Sequence, residues 1–398
     1  MSKPNGLKFI TLTPGCGYGD AAGEYLAGLD ALGIPVTWMP TIDNTAERLD
    51  RTRSCRDLQD AINERVSYLW GRSMDCNALL LNVPPGYWHT YWLHAEPELR
   101  PFTYVAWEVD RLPADWPPAL NPYERVFVPS EFNRQTFIAG GITTAVDVVP
   151  HIARRIDPMP GGPNWGDISD EDFVFYTIGA WTTRKAMEET IRAYLETFSG
   201  DEKVALIVKT EPVNQIEYRT LPKATRATAP AHLATTWWTL ARILADYRNP
   251  AKIHLVSGRA PPREIDRLHT RGDCFVSLTH SEGWGLGAFD AALFGNPVII
   301  TGWSGPLDYL GENYPLLVRY RLEATIHAPD DGYFLHAPDA YWACADRRHA
   351  GELMRSVFDN PEPAKRMARA RQTELQTRFA PTAVCRQLAD LMGFSVGG

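Results

Sequence analysis

Apolar residues along this chain gather into short runs separated by longer stretches of mixed character. In the first half Leu7–Leu12, Ala78–Val83, Tyr104–Trp107, Arg125–Val128 and Val146–Val149 read as strands, and Ala21–Leu32 reads as a helix. Runs of strand type that alternate with helical stretches predict parallel sheets covered by helices, an α/β class of fold. The alternation stops where RRIDPMPGGPNWGDISDED, from Arg154 to Asp172, brings three prolines and three glycines without apolar periodicity. It resumes with Phe173–Ile178, a helix near Met187–Phe198, Ala205–Val208, a helix near Thr235–Tyr247, Ile253–Val256 and Cys274–Leu278. The expected organisation is a first domain over 1–155, a linker over 156–172 and a second domain over 173–375. A helical tail over 376–398 is expected to return to the first domain. Its helical pattern runs from Pro363 to Met392 with a break at Pro381.

Composition supports two cores: 398 residues at 44% hydrophobic content exceed what one compact core usually holds. The net charge of -8 argues against wholesale electrostatic attraction to nucleic acid or anionic lipid. The amino-terminal segment lacks the apolar stretch of a secretory signal, and no run of apolar residues is long enough to span a membrane. Cys16, Cys55, Cys76, Cys274, Cys344 and Cys385 are scattered without a C-x-x-C pair, which speaks against a zinc site or a disulfide framework. A cytoplasmic protein is the expectation.

Candidate chemistry concentrates behind two strands of the second half. Ser281-Glu282-Gly283-Trp284-Gly285-Leu286-Gly287 follows Cys274–Leu278 and precedes a helix expected to start near Ala288. Glycines at a strand-to-helix turn let backbone N–H groups approach a phosphate, and Asp290, eight residues after Glu282, adds a second carboxylate able to grip sugar hydroxyls. The same residues also suit a tight connection, with Glu282 capping the turn and Asp290 solvated. After Phe173–Ile178 come Arg184 and Lys185, at a helix expected to begin near Ala186. A lysine beside the positive helix end is unfavourable unless an anion lies there too, so the pair suggests a diphosphate site. The triplet Asp170-Glu171-Asp172 imitates a D-x-D metal motif but precedes a strand instead of following one, so no metal is expected.

The first half offers a second glycine loop, Gly15-Cys16-Gly17-Tyr18-Gly19-Asp20, compatible with phosphate. Glu108, behind the expected strand Tyr104–Trp107, lies at the sheet edge where open α/β folds bind ligands. Tyr87, Trp88, His89, Tyr91, Trp92 and His94 form an aromatic cluster suited to sugar rings, and equally to a core or a lid. His151 follows Val146–Val149, and a lone histidine there serves more often as a structural hydrogen-bonder than as a catalyst.

EGWGLGAFD followed by Gly295-Asn296-Pro297-Val298-Ile299 resembles the E-G-[FW]-G-x-x-x-x-E and G-x-P-V-I fingerprint of retaining, family 4-like glycosyltransferases of the GT-B fold. Thr301-Gly302-Trp303-Ser304-Gly305-Pro306-Leu307-Asp308-Tyr309, Trp107-Glu108-Val109-Asp110-Arg111-Leu112-Pro113 and Val128-Pro129-Ser130-Glu131-Phe132 are similar to further segments of one subgroup. Gly179-Ala180-Trp181-Thr182-Thr183-Arg184-Lys185 resembles its basic diphosphate motif, with Ala180 where many members carry arginine and Lys209 as the replacement cation. Asp290 stands one methylene short of the family's ribose-binding glutamate.

The resemblance implies two Rossmann-like domains facing each other across a cleft, and transfer of a sugar from a nucleotide-diphosphate sugar to a hydroxyl-bearing acceptor with no metal and no cofactor. Glu282, Lys185 and Arg184 would carry catalysis. Lys209, Gly283, Trp284, Gly285, Leu286, Asp290, Gly17 and Gly19 would hold the donor, and Glu108, Trp88, His89 and His151 would lie on the acceptor side. The acceptor stays open among a glycan, a lipid-linked glycan, a small molecule, a protein and a modified DNA base. Two other activities fit the same residues: nucleotide-sugar binding without turnover, and nucleotide-sugar epimerisation.

Overall fold

A computed structural model describes residues 4–12, 17–41, 65–83, 92–156, 165–166, 168–221, 234–258, 260–325, 337 and 339–395. The chain divides into two compact units. The first comprises Met1–Trp107, Leu112–Arg154 and Thr377–Gly398, and the second Glu108–Arg111 with Arg155–Gln376. Just ahead of the second sheet, buried Asp172 pairs with Lys252 at 2.8 Å.

The first unit is built on β1 (Leu7–Leu12), β2 (Val36–Thr41), β3 (Ala78–Asn82), β4 (Arg100–Tyr104), β5 (Arg125–Val128) and β6 (Ala145–Val148), all parallel in the order β2-β1-β3-β4-β5-β6. Two strands depart from the sequence pattern. β2 carries Pro40, which reads as a breaker but is tolerated on an edge strand where its missing N–H faces away from the ladder. β4 ends at Tyr104, where Tyr104–Trp107 was the expected strand. Val105 and Trp107 beyond it are buried all the same, and the backbone of Trp107 is satisfied by one side chain: Trp107 N–H donates to Asn133 Oδ1 at 3.1 Å, and Asn133 Nδ2 donates to Trp107 O at 2.5 Å.

A helix over Gly17–Ala31 follows β1, so Gly17 and Gly19 lie in its first turn and not in a preceding loop. Against it packs the helix Pro381–Met392, whose Val384, Cys385, Leu388, Ala389 and Met392 recur at helical spacing and enter the same core as Tyr25, Leu26 and Leu29. A Cβ at Gly28 would lie 2.3 Å from Cys385 Sγ, so only glycine permits this approach.

The second unit repeats the plan with β7 (Phe173–Ile178), β8 (Val204–Thr210), β9 (Lys252–Ser257), β10 (Cys274–Ser277), β11 (Val298–Thr301) and β12 (Leu317–Val318). The six parallel strands run in the order β12-β11-β10-β7-β8-β9. β7, β8 and β10 are central, covered on both faces, and accordingly read as almost unbroken apolar runs. An antiparallel hairpin of β13 (Tyr320–Ala324) and β14 (Tyr341–Ala345) is added to this unit. No helix among the described residues is long and apolar enough to cross a membrane.

Candidate functional site

In the second sheet the winding reverses between β7 and β10, and the crevice beyond the carboxyl ends of such strands is where open α/β sheets take ligands. Both motifs of the second half emerge there. The turn after β7 carries Arg184 and Lys185, and the turn after β10 carries Glu282 to Gly285.

The first turn is tied down through its backbone. Gly179 N–H donates to Lys209 O at 3.0 Å, Trp181 is fully buried, and the Arg184 carbonyl accepts from His280 N–H at 2.8 Å and from Thr279 Oγ1 at 3.2 Å. The helix that follows starts at Met187, after Ala186 in the left-handed region at φ 45°. Arg184 and Lys185 thus belong to the turn before the helix and not to its first turn.

The second turn ends on Gly285, left-handed at φ 88°, which is the N-cap of the helix Leu286–Leu293. No side chain caps this helix, leaving first-turn N–H groups free to face an anion. The helix begins two residues earlier than the sequence suggests, since Leu286 and Gly287 continue without a break from the glycine turn. Trp284 is buried with its indole 5.1 Å from the rings of Phe289 and Tyr309.

The charged side chains of the two turns meet. Glu282 Oε1 lies 2.6 Å from Lys185 Nζ, and Oε2 lies 3.2 Å from Arg184 Nη1. Arg184 also donates to Ser281 O at 2.8 Å and reaches Glu108 Oε1 at 3.5 Å. Burial by itself would raise the Glu282 carboxyl, but the Lys185 and Arg184 charges outweigh it and hold the group below its ordinary value. Burial pulls Lys185 below its ordinary value, with Glu282 opposing the shift. Lys209, at the end of β8 beside Ile178, is also lowered by burial, against the pull of Glu211.

Of the residues singled out in the sequence, Arg184, Lys185, Glu282 and Glu108 are therefore brought into one charged cluster. Gly283 and Gly285 lie in the adjoining turn, Leu286 opens the helix that follows it, and Lys209 stands near the end of the neighbouring strand. Asp290 lies further along the helix, partly exposed. In the first unit Gly17 and Gly19 flank Tyr18, whose hydroxyl accepts from Ala106 N–H at 3.0 Å. His151 is buried beside Tyr25 and Tyr104, and burial pushes it down to about 3, so it is neutral at ordinary pH. Trp88 and His89, with Tyr87 and Tyr91, lie outside the described residues. In the Asp170–Asp172 triplet Asp172 is engaged by Lys252, and Glu171 by Lys203.

Residue types and motif spacing did not reveal what Ser304 and Tyr309 do. Ser304 Oγ accepts from Glu282 N–H at 3.0 Å, and Tyr309 Oη donates to Gly285 O at 3.3 Å. The usable signal was that the motif holding them follows the strand next to β10.

No family model matches the chain, and no curated protein matches its sequence. Solved structures do match it along nearly the whole length. HepE of Anabaena, solved in complex with UDP and glucose, is 11% identical with a TM-score of 0.60, covering 97% of this chain and 98% of its own. Sucrose-phosphate synthase of Thermosynechococcus elongatus is 12% identical with a TM-score of 0.65, again over 97% and 98%. A glycosyltransferase of Rickettsia africae is 12% identical with a TM-score of 0.63, over 98% of each chain. At such identities the likeness establishes the fold, which is GT-B: two Rossmann-like units, each on a six-stranded parallel sheet.

Proposed function

We propose that this protein is a retaining glycosyltransferase that moves a sugar from a nucleotide-diphosphate sugar to a hydroxyl-bearing acceptor without a metal. The observation that carries the reading is the convergence of Lys185, Arg184 and Glu282 at the switch point of the second sheet, next to an uncapped helix N-terminus. HepE, with the same fold, binds UDP and glucose, which supports a nucleoside diphosphate as the occupant of this crevice.

The chemistry follows from the leaving group. As the bond from the sugar C1 to the β-phosphate oxygen breaks, negative charge grows on the diphosphate. Cations and backbone dipoles already fixed in place stabilise that charge without reorganising. Lys185 and Arg184 supply the cations, Lys209 adds a third from the next strand, and the Gly285–Gly287 N–H groups supply the dipoles. Glu282 accepts hydrogen bonds from sugar hydroxyls and Glu108 holds Arg184 from its other side. Retention requires the acceptor oxygen to join C1 on the face that the diphosphate leaves, its proton passing to the departing phosphate.

The test is a thermal-shift series with UDP, ADP and GDP followed by mass spectrometry of products from the matching nucleotide sugars. Ligand stabilises the folded form by mass action, so the right nucleotide raises Tm. Lys185→Ala is expected to abolish that shift and to lower transfer by about 100-fold or more, with the variant still folded. Full transfer by Lys185→Ala would remove the site, and an isomerised sugar nucleotide in place of a glycosylated acceptor would make the protein an epimerase.

A further inference from the structure

The segment behind β11 reaches across to both ends of the glycine turn behind β10. Ser304 is one of two non-glycine residues among those described with positive φ, at 66°. It is buried, and its Oγ accepts from Glu282 N–H at 3.0 Å, while the next residue, Gly305, donates its N–H to Glu282 O at 3.0 Å. Two consecutive residues thus hold both polar backbone groups of Glu282. The approach is close: a Cβ at Gly305 would lie 2.1 Å from Gly283 O. At the other end Tyr309 Oη donates to the Gly285 carbonyl at 3.3 Å, and its ring lies 5.1 Å from Trp284 and 5.0 Å from Phe289.

A left-handed serine is disfavoured, and such conformations persist where the surroundings over-determine them, often at functional sites. Serine is not needed here to make the turn, because glycine would adopt the same φ at less cost. What serine adds is the acceptor for Glu282 N–H. Tyrosine likewise adds to the apolar ring a single hydroxyl, aimed at the carbonyl of the helix N-cap.

We propose that Ser304 and Tyr309 are positioning residues that brace the turn at its two ends. Ser304 fixes the direction from which the Glu282 carboxylate meets Lys185 and Arg184, and Tyr309 fixes Gly285, from which the N–H groups of the helix project. As a statement about transfer this rests on the donor-site reading above. As a statement about the turn it stands on the hydrogen bonds alone.

Two ligand-free measurements test the brace, on Ser304→Gly and Tyr309→Phe. The first variant removes the hydroxyl while suiting the left-handed backbone, and the second keeps the ring, so both are designed to fold. Ser304→Ala, which loses only the hydroxyl, is the second variant at that position and is expected to behave alike. With Glu282 loosened, Lys185 loses counter-charge, its unprotonated fraction rises, and a small acetylating reagent at neutral pH modifies it several-fold faster. Lys252 and Lys365 serve as references that do not change. In Tyr309→Phe the amides of Gly285–Gly287 exchange hydrogen faster, while the acetylation of Lys185 stays as in the wild type.

With UDP and UDP-glucose as probes, Ser304→Gly is expected to lower kcat by about 10- to 100-fold, the scale of a small misplacement, without weakening UDP. Tyr309→Phe is expected to weaken UDP with little change in kcat. A folded Ser304→Gly with wild-type Lys185 reactivity overturns the role of Ser304, and unchanged exchange in Tyr309→Phe overturns that of Tyr309. A wild-type protein that neither binds UDP nor consumes UDP-glucose counts against that donor, and the two ligand-free measurements still decide the brace.

Discussion

Lys185 Nζ and Glu282 Oε1 stand 2.6 Å apart although 97 positions separate them along the chain. They meet because β7 and β10 are neighbours in the sheet, so the turns that follow them open at the same edge. Each residue is unfavourable where it lies without the other: a lysine near a positive helix end, and a carboxylate out of water.

This pairing makes the second unit acid-sensitive. The Glu282 carboxyl is held below its ordinary value in the folded protein, so the unfolded chain binds its proton first as pH falls. The stability contributed is fully present above the ordinary carboxylate range and is lost as pH drops below about 4.5 through the folded value. Glu282→Gln is expected to cost about 2 kcal/mol near neutrality, typical of a lost charge-assisted hydrogen bond, and to flatten the acid limb. Tm measured against pH for both proteins checks this, and parallel curves would refute it.

Ala186 offers a test of opposite sign. At φ 45° a left-handed alanine carries a penalty of roughly 1 kcal/mol, and glycine relieves it while losing one methyl. Ala186→Gly is therefore expected to be neutral or stabilising by up to about 1 kcal/mol. Ala193→Gly, in the middle of the helix Met187–Thr197, is expected to cost about 1 kcal/mol or more. Chemical denaturation of the two variants distinguishes them, and equal losses would mean that the turn carries no strain.

Gly305 tolerates nothing larger. The 2.1 Å approach to Gly283 O involves backbone on both sides, so Gly305→Ala has to push the two turns apart. The expected outcome is a destabilisation of about 2 kcal/mol or more, together with loss of nucleotide binding. Wild-type binding by a folded Gly305→Ala would show the turns to be separable.

His151 should give the first unit its own pH dependence. Its ordinary pKa is 6.5 and burial pushes it down to about 3, so between these values the unfolded chain takes up a proton that the folded one refuses. Stability therefore falls with pH through that window, by about 2 kcal/mol between pH 7 and pH 5. His151→Phe keeps a ring beside Tyr25 and Tyr104 and removes the titration. Whatever its absolute stability, its Tm should decline less between those two pH values, and an unchanged slope would contradict the assignment.

The α/β class and the placing of most strands were legible because central parallel strands are continuously apolar, as Phe173–Ile178 and Cys274–Ser277 are. β2 was not, since edge position excuses a proline that sequence alone counts as a breaker. The strand expected at Tyr104–Trp107 lies earlier, over Arg100–Tyr104, because Arg100 and Pro101 read as loop in the sequence; beyond Tyr104, Val105 N–H still bonds the next strand, at Phe127 O, and the Trp107 backbone is held by Asn133. At the site, Arg184, Lys185 and Glu282 were visible as residue types behind strands. Their pairing was not, because it depends on strand order. Ser304 was visible as part of a motif, but its bond to Glu282 was not, for the same reason: its partner belongs to another turn, and its left-handed backbone is a property of geometry and not of serine.

The helix Pro381–Met392 has a consequence for how the protein is made. The first unit shares its core with residues that leave the ribosome only after the whole of the second unit has been synthesised. Tyr25, Leu26 and Leu29 must wait, uncovered on one side, while Phe173 onward acquires all the strands of its own sheet. Domains usually complete themselves in the order of translation. Here the unit that is begun first is finished last, and a chain released early, before Val384 and Leu388, leaves its older half with an open hydrophobic seam.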